Sequence, residues 1–158
     1  MGFWKTPVRK LRTFAGLKRT QRLLVLRAGV LLAIVGWALR LRGFRKTVAT
    51  FRCSPLKSQS NSDDESAQLE IRHVSQAVKA AARNGIREPN CLRSSLVLNY
   101  LLRRRGYDSQ LRIGVRREGH KFEAHAWVEL HDRVVNDTQD VATRFTPVAD
   151  LQAAIPFL

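Results

Sequence analysis

The spacing of apolar positions changes along the chain, and each change predicts an element. From Leu23 to Leu39 the residues are apolar except for Arg27, which predicts a helix of roughly 25 Å at about 1.5 Å per residue. That falls short of the roughly 30 Å core of a bilayer. Arg19 and Arg22 flank one end and Arg40 and Arg42 the other, so little charge asymmetry would orient a span. Residues 53–61 hold three serines and Pro55 with no periodicity and read as a linker. Ser62 stands three residues before Glu65, the spacing of a capping box, and opens a second helix. Its apolar positions Leu69, Ile71, Val74, Ala77, Val78 and Ala81 recur at helical spacing until Asn84-Gly85. A third helix follows, capped by Asn90, carrying Leu92, Leu96, Leu98, Leu101 and Leu102, and stopped by Gly106 after three arginines.

Beyond Gly106 the period becomes two. Leu111, Ile113 and Val115 alternate with polar residues, and Glu118-Gly119 turns the chain. Phe122, Ala124, Ala126 and Val128 then alternate with Glu123, His125, Trp127 and Glu129. A further turn at His131-Asp132 leads into a strand over 133–137, and Thr146-Pro147 opens a last short helix. Helices followed by a strand meander predict an α+β domain over 62–158, preceded by an arm over 1–52 and the linker over 53–61.

Charge sharpens this division. The chain of 158 residues carries 28 basic and 13 acidic residues, a formal +15, yet residues 1–52 contain 13 of the basic ones and no Asp or Glu. The rest is therefore close to neutral. The arm reads as a helix that packs on the protein or a partner, or that lies on anionic lipid. An Arg-rich, acid-free start also mimics a transit peptide, whereas a secretory signal fits poorly because Ala38-Leu39-Arg40 is no cleavage site. Aromatic residues interleave with the basic ones, but no nucleic-acid fold signature accompanies them, so nucleic acid is not an expected partner. Two cysteines exclude a disulfide framework, and the absence of a Cys-x-x-Cys pair argues against structural zinc.

Three residues of the α+β domain suit nucleophilic chemistry. Cys91 falls in the first turn of a helix, where unpaired N–H groups favour a thiolate and offer an oxyanion hole. His125, on a strand, can serve as its base. Asp137, expected on the next strand, can orient the imidazole. A three-residue connection, Leu130-His131-Asp132, would pair His125 directly with Asp137; a two-residue one would put them on opposite faces. Asp132 and Asp140 lie near enough in sequence to compete for the acid's place. A buried, inert Cys91 is the plainer alternative. Zinc on Cys91, His120, His125 and Asp137 fits less well, and Gly114-x-x-x-x-Gly119 lacks the lysine of a P-loop. Cys53 has no nearby histidine and reads as incidental.

Residues 91–96 (Cys-Leu-Arg-Ser-Ser-Leu), 101–106, 111–115, 122–129 (Phe-Glu-Ala-His-Ala-Trp-Val-Glu) and 134–137 together resemble the lasso-peptide leader peptidases. The resemblance covers about residues 66–150 and implies a transglutaminase-like, papain-like core with helices packed on an antiparallel sheet. It implies a cysteine peptidase without cofactor or metal, with nucleophile Cys91, base Cys91's partner His125 and acid Asp137. It further implies a ribosomally made lasso precursor as substrate and a separate leader-recognition protein, since no winged-helix pattern is visible in the first 60 residues. An ATP-dependent macrolactam cyclase resembling asparagine synthetase is the other implied partner. A cytoplasmic location is expected with them, and the charge of residues 1–52, 13 basic and no acidic, suggests that the arm holds the protein peripherally at the inner membrane face. A catalytically inert scaffold and an acyl transferase using the same thiol are the alternatives.

Overall fold

The computed structural model describes residues 19–51, 64–85, 90–118 and 121–148. Helices α1 (Arg19–Phe51), α2 (Glu65–Gly85) and α3 (Cys91–Arg103) precede strands β1 (Ser109–Glu118), β2 (Lys121–Leu130) and β3 (Arg133–Val134), then the short helix α4 (Val141–Arg144) and strand β4 (Thr146–Pro147). The architecture is α+β, three packed helices against an antiparallel sheet of order β3-β2-β1-β4. The expected linker over 53–61, with Cys53, and His120 lie outside the described residues.

The first helix is longer than the apolar run that announced it. It spans 33 residues and is broken at Gly43, whose φ of 74° lies in the left-handed region. By length, and by a mean hydropathy of 1.9 over an 18-residue stretch, it is apolar enough to cross a membrane. One face nevertheless packs on the protein: Val25, Ala28, Leu32 and Val35 join Val74 and Val78 of α2, and Leu96, Leu98 and Leu102 of α3, in one hydrophobic cluster. Val128 and Leu130 of β2 close this cluster from the sheet. After the break, Phe51 meets Tyr100 edge to face at 5.4 Å, tying the end of α1 to α3.

α2 starts two residues later than the capping box proposes. The Asp64 carbonyl accepts from Gln68 N–H, the first helical acceptor among the described residues; Ser62 itself lies outside them. α3 begins and ends as its sequence dictates. The Asn90 Oδ1 accepts from the N–H groups of Leu92 and Arg93. At the other end Gly106 adopts φ 93°, and Tyr107 N–H donates to the Leu102 carbonyl. The arginines after the helix serve structure: Arg103 bonds Asp108 and the Ser109 carbonyl, and Arg105 pairs with Glu70.

Two strand expectations are corrected. Thr146-Pro147 is an edge strand and not a helix start, pairing with Val115 and Gly114. Proline lacks a ladder donor, so an edge position suits it, and Val148 N–H supplies the next bond, to the Ile113 carbonyl. Strict alternation along β2 also fails. Ala126, Trp127 and Val128 are all buried, while Phe122 is exposed. Trp127 is covered on the second face by Val141 and Phe145, which form a separate small cluster with it. The sheet is thus sandwiched at its centre, and that second layer comes from residues too short in sequence to announce themselves.

Candidate active site

Cys91, at the first position of α3, lines a cavity of about 140 Å³ together with His125 of β2 and Asp137 of the segment after β3. Ser75, Val78 and Lys79 of α2, Ser94 and Leu98 of α3, Ala126 and Asn136 complete its wall. A larger cavity of about 250 Å³ lies between α2 and the β2–β3 turn, bordered by Gln68, Arg72, Arg133 and Gln139. It has none of the three chemical candidates on its lining.

Asp137 reaches His125 by a route other than the strand pairing expected. The connection is the two-residue turn His131-Asp132, in which both residues have positive φ, 47° and 61°. This pairs Leu130 with Arg133 and Glu129 with Val134, a register that would oppose His125 to Thr138 if it continued. It does not continue, because β3 ends at Val134. Val135 N–H still donates to the Val128 carbonyl at 2.9 Å, but the reciprocal bond, from Val128 N–H, goes to the Asn136 side-chain oxygen at 2.8 Å. The side chain stands in for the ladder backbone and frees the chain to bend. Asp137 Oδ2 thereby comes to 2.5 Å from His125 Nε2.

The contact fixes the chemistry available to the imidazole. With Nε2 held by Asp137, Nδ1 is the nitrogen left to exchange a proton with a thiol. The His125 and Asp137 side chains are 26% and 23% exposed, so the pair is sheltered yet reachable. Burial pushes the Asp137 carboxyl up. Hydrogen bonds from His125 and the Thr138 N–H, with the charges of His125 and Arg144, outweigh it and hold the pKa below the ordinary carboxylate value. The Asp137 Oδ1 atom receives the Thr138 N–H at 2.7 Å, with Arg144 at 3.4 Å. Asp140 instead pairs with Arg144 at 3.3 Å, and Asp132 occupies the turn.

The imidazole is also braced on its flat side. Its ring stacks with Phe145 at a centroid distance of 5.1 Å and lies 6.3 Å from Trp127. Gly114, directly across the ladder from His125, makes this packing possible: a Cβ there would stand 2.8 Å from Phe145 Cβ and 2.8 Å from Trp127 Cη2. The expected oxyanion donors of the first turn of α3 are partly used. Leu92 and Arg93 N–H groups are taken by the Asn90 cap, so the Cys91 N–H is the donor there that the cap leaves over.

Ser95 and Asn136 were not singled out by sequence, since each reads as an ordinary helix or turn residue. In the fold they form a bolt between the three elements that carry the site. Ser95 Oγ donates to the Ala126 carbonyl at 2.8 Å, and Asn136 Nδ2 donates to Ser95 Oγ at 2.9 Å. Asn136→Ala is expected to cost about 1–3 kcal/mol, because it strands the Val128 N–H. Urea denaturation compared with wild type measures this.

Fold and cavity together define a small α+β protein with a cysteine at a helix start and a strand histidine on the wall of one cavity. The profile of the transglutaminase-like superfamily matches residues 31–150, and the chain belongs to that superfamily. The chain is also similar to the microcin J25-processing protein McjB of Escherichia coli, 34% identical over 62 residues. That match takes in 39% of this chain and 29% of the relative, so the chain spans less than a third of the relative's length. No solved structure matches significantly.

Proposed function

We propose that the protein is a cysteine peptidase that removes the leader from a lasso-peptide precursor. The observation that carries this reading is the single cavity lined by Cys91, His125 and Asp137, with His125 Nε2 bonded to Asp137. Similarity to a microcin-processing protein supplies the substrate class.

In this reading the Cys91 thiol passes its proton to His125 Nδ1, and Sγ attacks the carbonyl at the leader–core junction. The resulting oxyanion is met by the Cys91 N–H. His125 returns the proton to the departing amine, leaving a thioester on Cys91. Water, deprotonated by the same imidazole, hydrolyses the thioester and restores the thiol. Asp137 keeps the imidazole in one orientation and stabilises its charged form. Partners in this reading are a separate leader-recognition protein and an ATP-dependent macrolactam cyclase. The reaction is cytoplasmic, with the enzyme peripheral to the inner face of the membrane.

Incubating the protein with a lasso precursor and its leader-recognition protein tests the reading by product mass. Release of leader with a free carboxylate supports it. Exclusive transfer to an added amine would make the protein an acyl transferase, and an uncut precursor despite complex formation would make it a scaffold.

A further inference from the structure

The first helix has two apolar faces, and only one of them is used by the fold. Val25, Ala28, Leu32, Val35 and Gly36 are buried. On the opposite side Leu23, Leu26, Val30, Ile34, Trp37 and Leu41 are 49–75% exposed. Their successive spacings of three, four, four, three and four residues keep them on one line. From first to last they form a stripe about 27 Å long at 1.5 Å per residue. A contiguous exposed apolar patch of this length marks a surface that meets something.

We propose that this stripe seats the protein on an anionic bilayer, with α1 lying along the surface and not passing through it. This deepens the peripheral location proposed above by naming the surface and its mode of contact. The rim supplies the charge argument. Exposed Arg27, Arg40 and Arg42 border the stripe, and Arg19 and Arg45 stand at its ends. Residues 1–52 bring 13 basic residues and no carboxylate. Anionic headgroups complement such a rim, and long arginine stems reach them while the stripe enters the acyl boundary. A second copy of the chain would instead bring one basic rim against another.

The packed face supplies the orientation argument. Although α1 is long and apolar enough to span, spanning would tear Val25, Ala28, Leu32 and Val35 from the core they share with α2 and α3. Lying flat leaves the core intact and buries only the stripe. No described residue of α1 lines the cavity that holds Cys91, so docking and chemistry are separable.

The test is flotation of the full chain with phosphatidylglycerol-containing vesicles against pure phosphatidylcholine vesicles. A Trp4→Phe background leaves Trp37 as the exposed reporter beside the buried Trp127. The expected result is binding to anionic vesicles that weakens at high salt, with Trp37 quenched more by lipids brominated near the headgroup than by deeply brominated ones. The double variant Leu26→Ser/Ile34→Ser should bind about tenfold less, with an unchanged circular-dichroism melt because both residues are exposed. Absence of binding to anionic vesicles overturns the proposal, as does binding that the double variant leaves unchanged. Deepest quenching at the bilayer centre, with resistance to alkaline carbonate, would make α1 a span. Lipid-free dimerisation abolished by the variant, without vesicle binding, would assign the stripe to a second copy. Vesicle binding is read with the Cys91→Ala protein as well, so its outcome does not depend on peptidase activity.

Discussion

Replacing Cys91 with alanine is expected to abolish leader removal, lowering the rate by on the order of 10³-fold or more, with the fold intact. In the proposed mechanism the thiol forms the thioester, and no other described side chain on the cavity is a thiol. Alanine occupies the same first helical position and leaves the Asn90 cap in place. His125→Ala is expected to fall nearly as far, and a double variant with Cys91→Ala to fall no further, if the proposed pair acts as one unit. Asp137→Asn should lose on the order of 10²–10⁴-fold, since an amide can favour the wrong tautomer of the imidazole. Iodoacetamide alkylation of Cys91 against pH, with and without His125, reads the same pair in the absence of substrate.

Asp137 also leaves a signature in stability. Its folded pKa lies below the ordinary carboxylate value, so the native state favours the ionised form. The resulting stabilisation is complete above the ordinary value and is lost as pH falls through the folded one. Wild type is therefore expected to melt above Asp137→Asn at neutral pH, with the gap closing as the solution is made acid. A gap that stays constant over the whole range would place the effect in packing.

The second large effect is expected from Gly114→Ala, a change of one methyl group that sequence alone would pass as mild. The added Cβ would sit 2.8 Å from Phe145 Cβ and 2.8–2.9 Å from two atoms of the Trp127 ring. Phe145 Cβ is held by its own backbone, and Trp127 is fully buried, so neither yields cheaply. Overpacking of this kind costs about 1–3 kcal/mol. The same two rings brace His125, so the variant should lose cleavage activity beyond its unfolded fraction at the assay temperature. Gly29→Ala is the matched control. Nothing lies within 4 Å of a Cβ there, and alanine in a helix is worth about 0.5–1 kcal/mol over glycine. Thermal melts of the two variants should move in opposite directions.

Much of this architecture was legible residue by residue. The apolar spacing located three helices, Asn90 and Gly106 marked the ends of α3, and the period of two marked β1 and β2. These signals are local: a cap, a left-handed glycine and a pleat act within a few residues and leave their imprint in the chain itself. Cys91 and His125 stood out for the same reason, a reactive side chain on a predictable element. The meeting of His125 with Asp137 was expected through a three-residue loop, and the fold achieves it through a two-residue turn and a bend.

By itself, then, the sequence determined the types of the three long helices and of β1 and β2, the α+β class and the chemical identity of the candidate residues. Tertiary structure alone decided how Asp137 arrives, because a side-chain amide 8 residues away from Val128 takes over a backbone bond. It decided that Trp127 is core, because Val141 and Phe145 fold over the second face of the sheet. It also decided which face of the apolar Leu23–Leu39 run stays outside. Hydrophobicity names the residues that leave water but carries no direction, and only the shape of the neighbouring helices selects which of them find a place within the core.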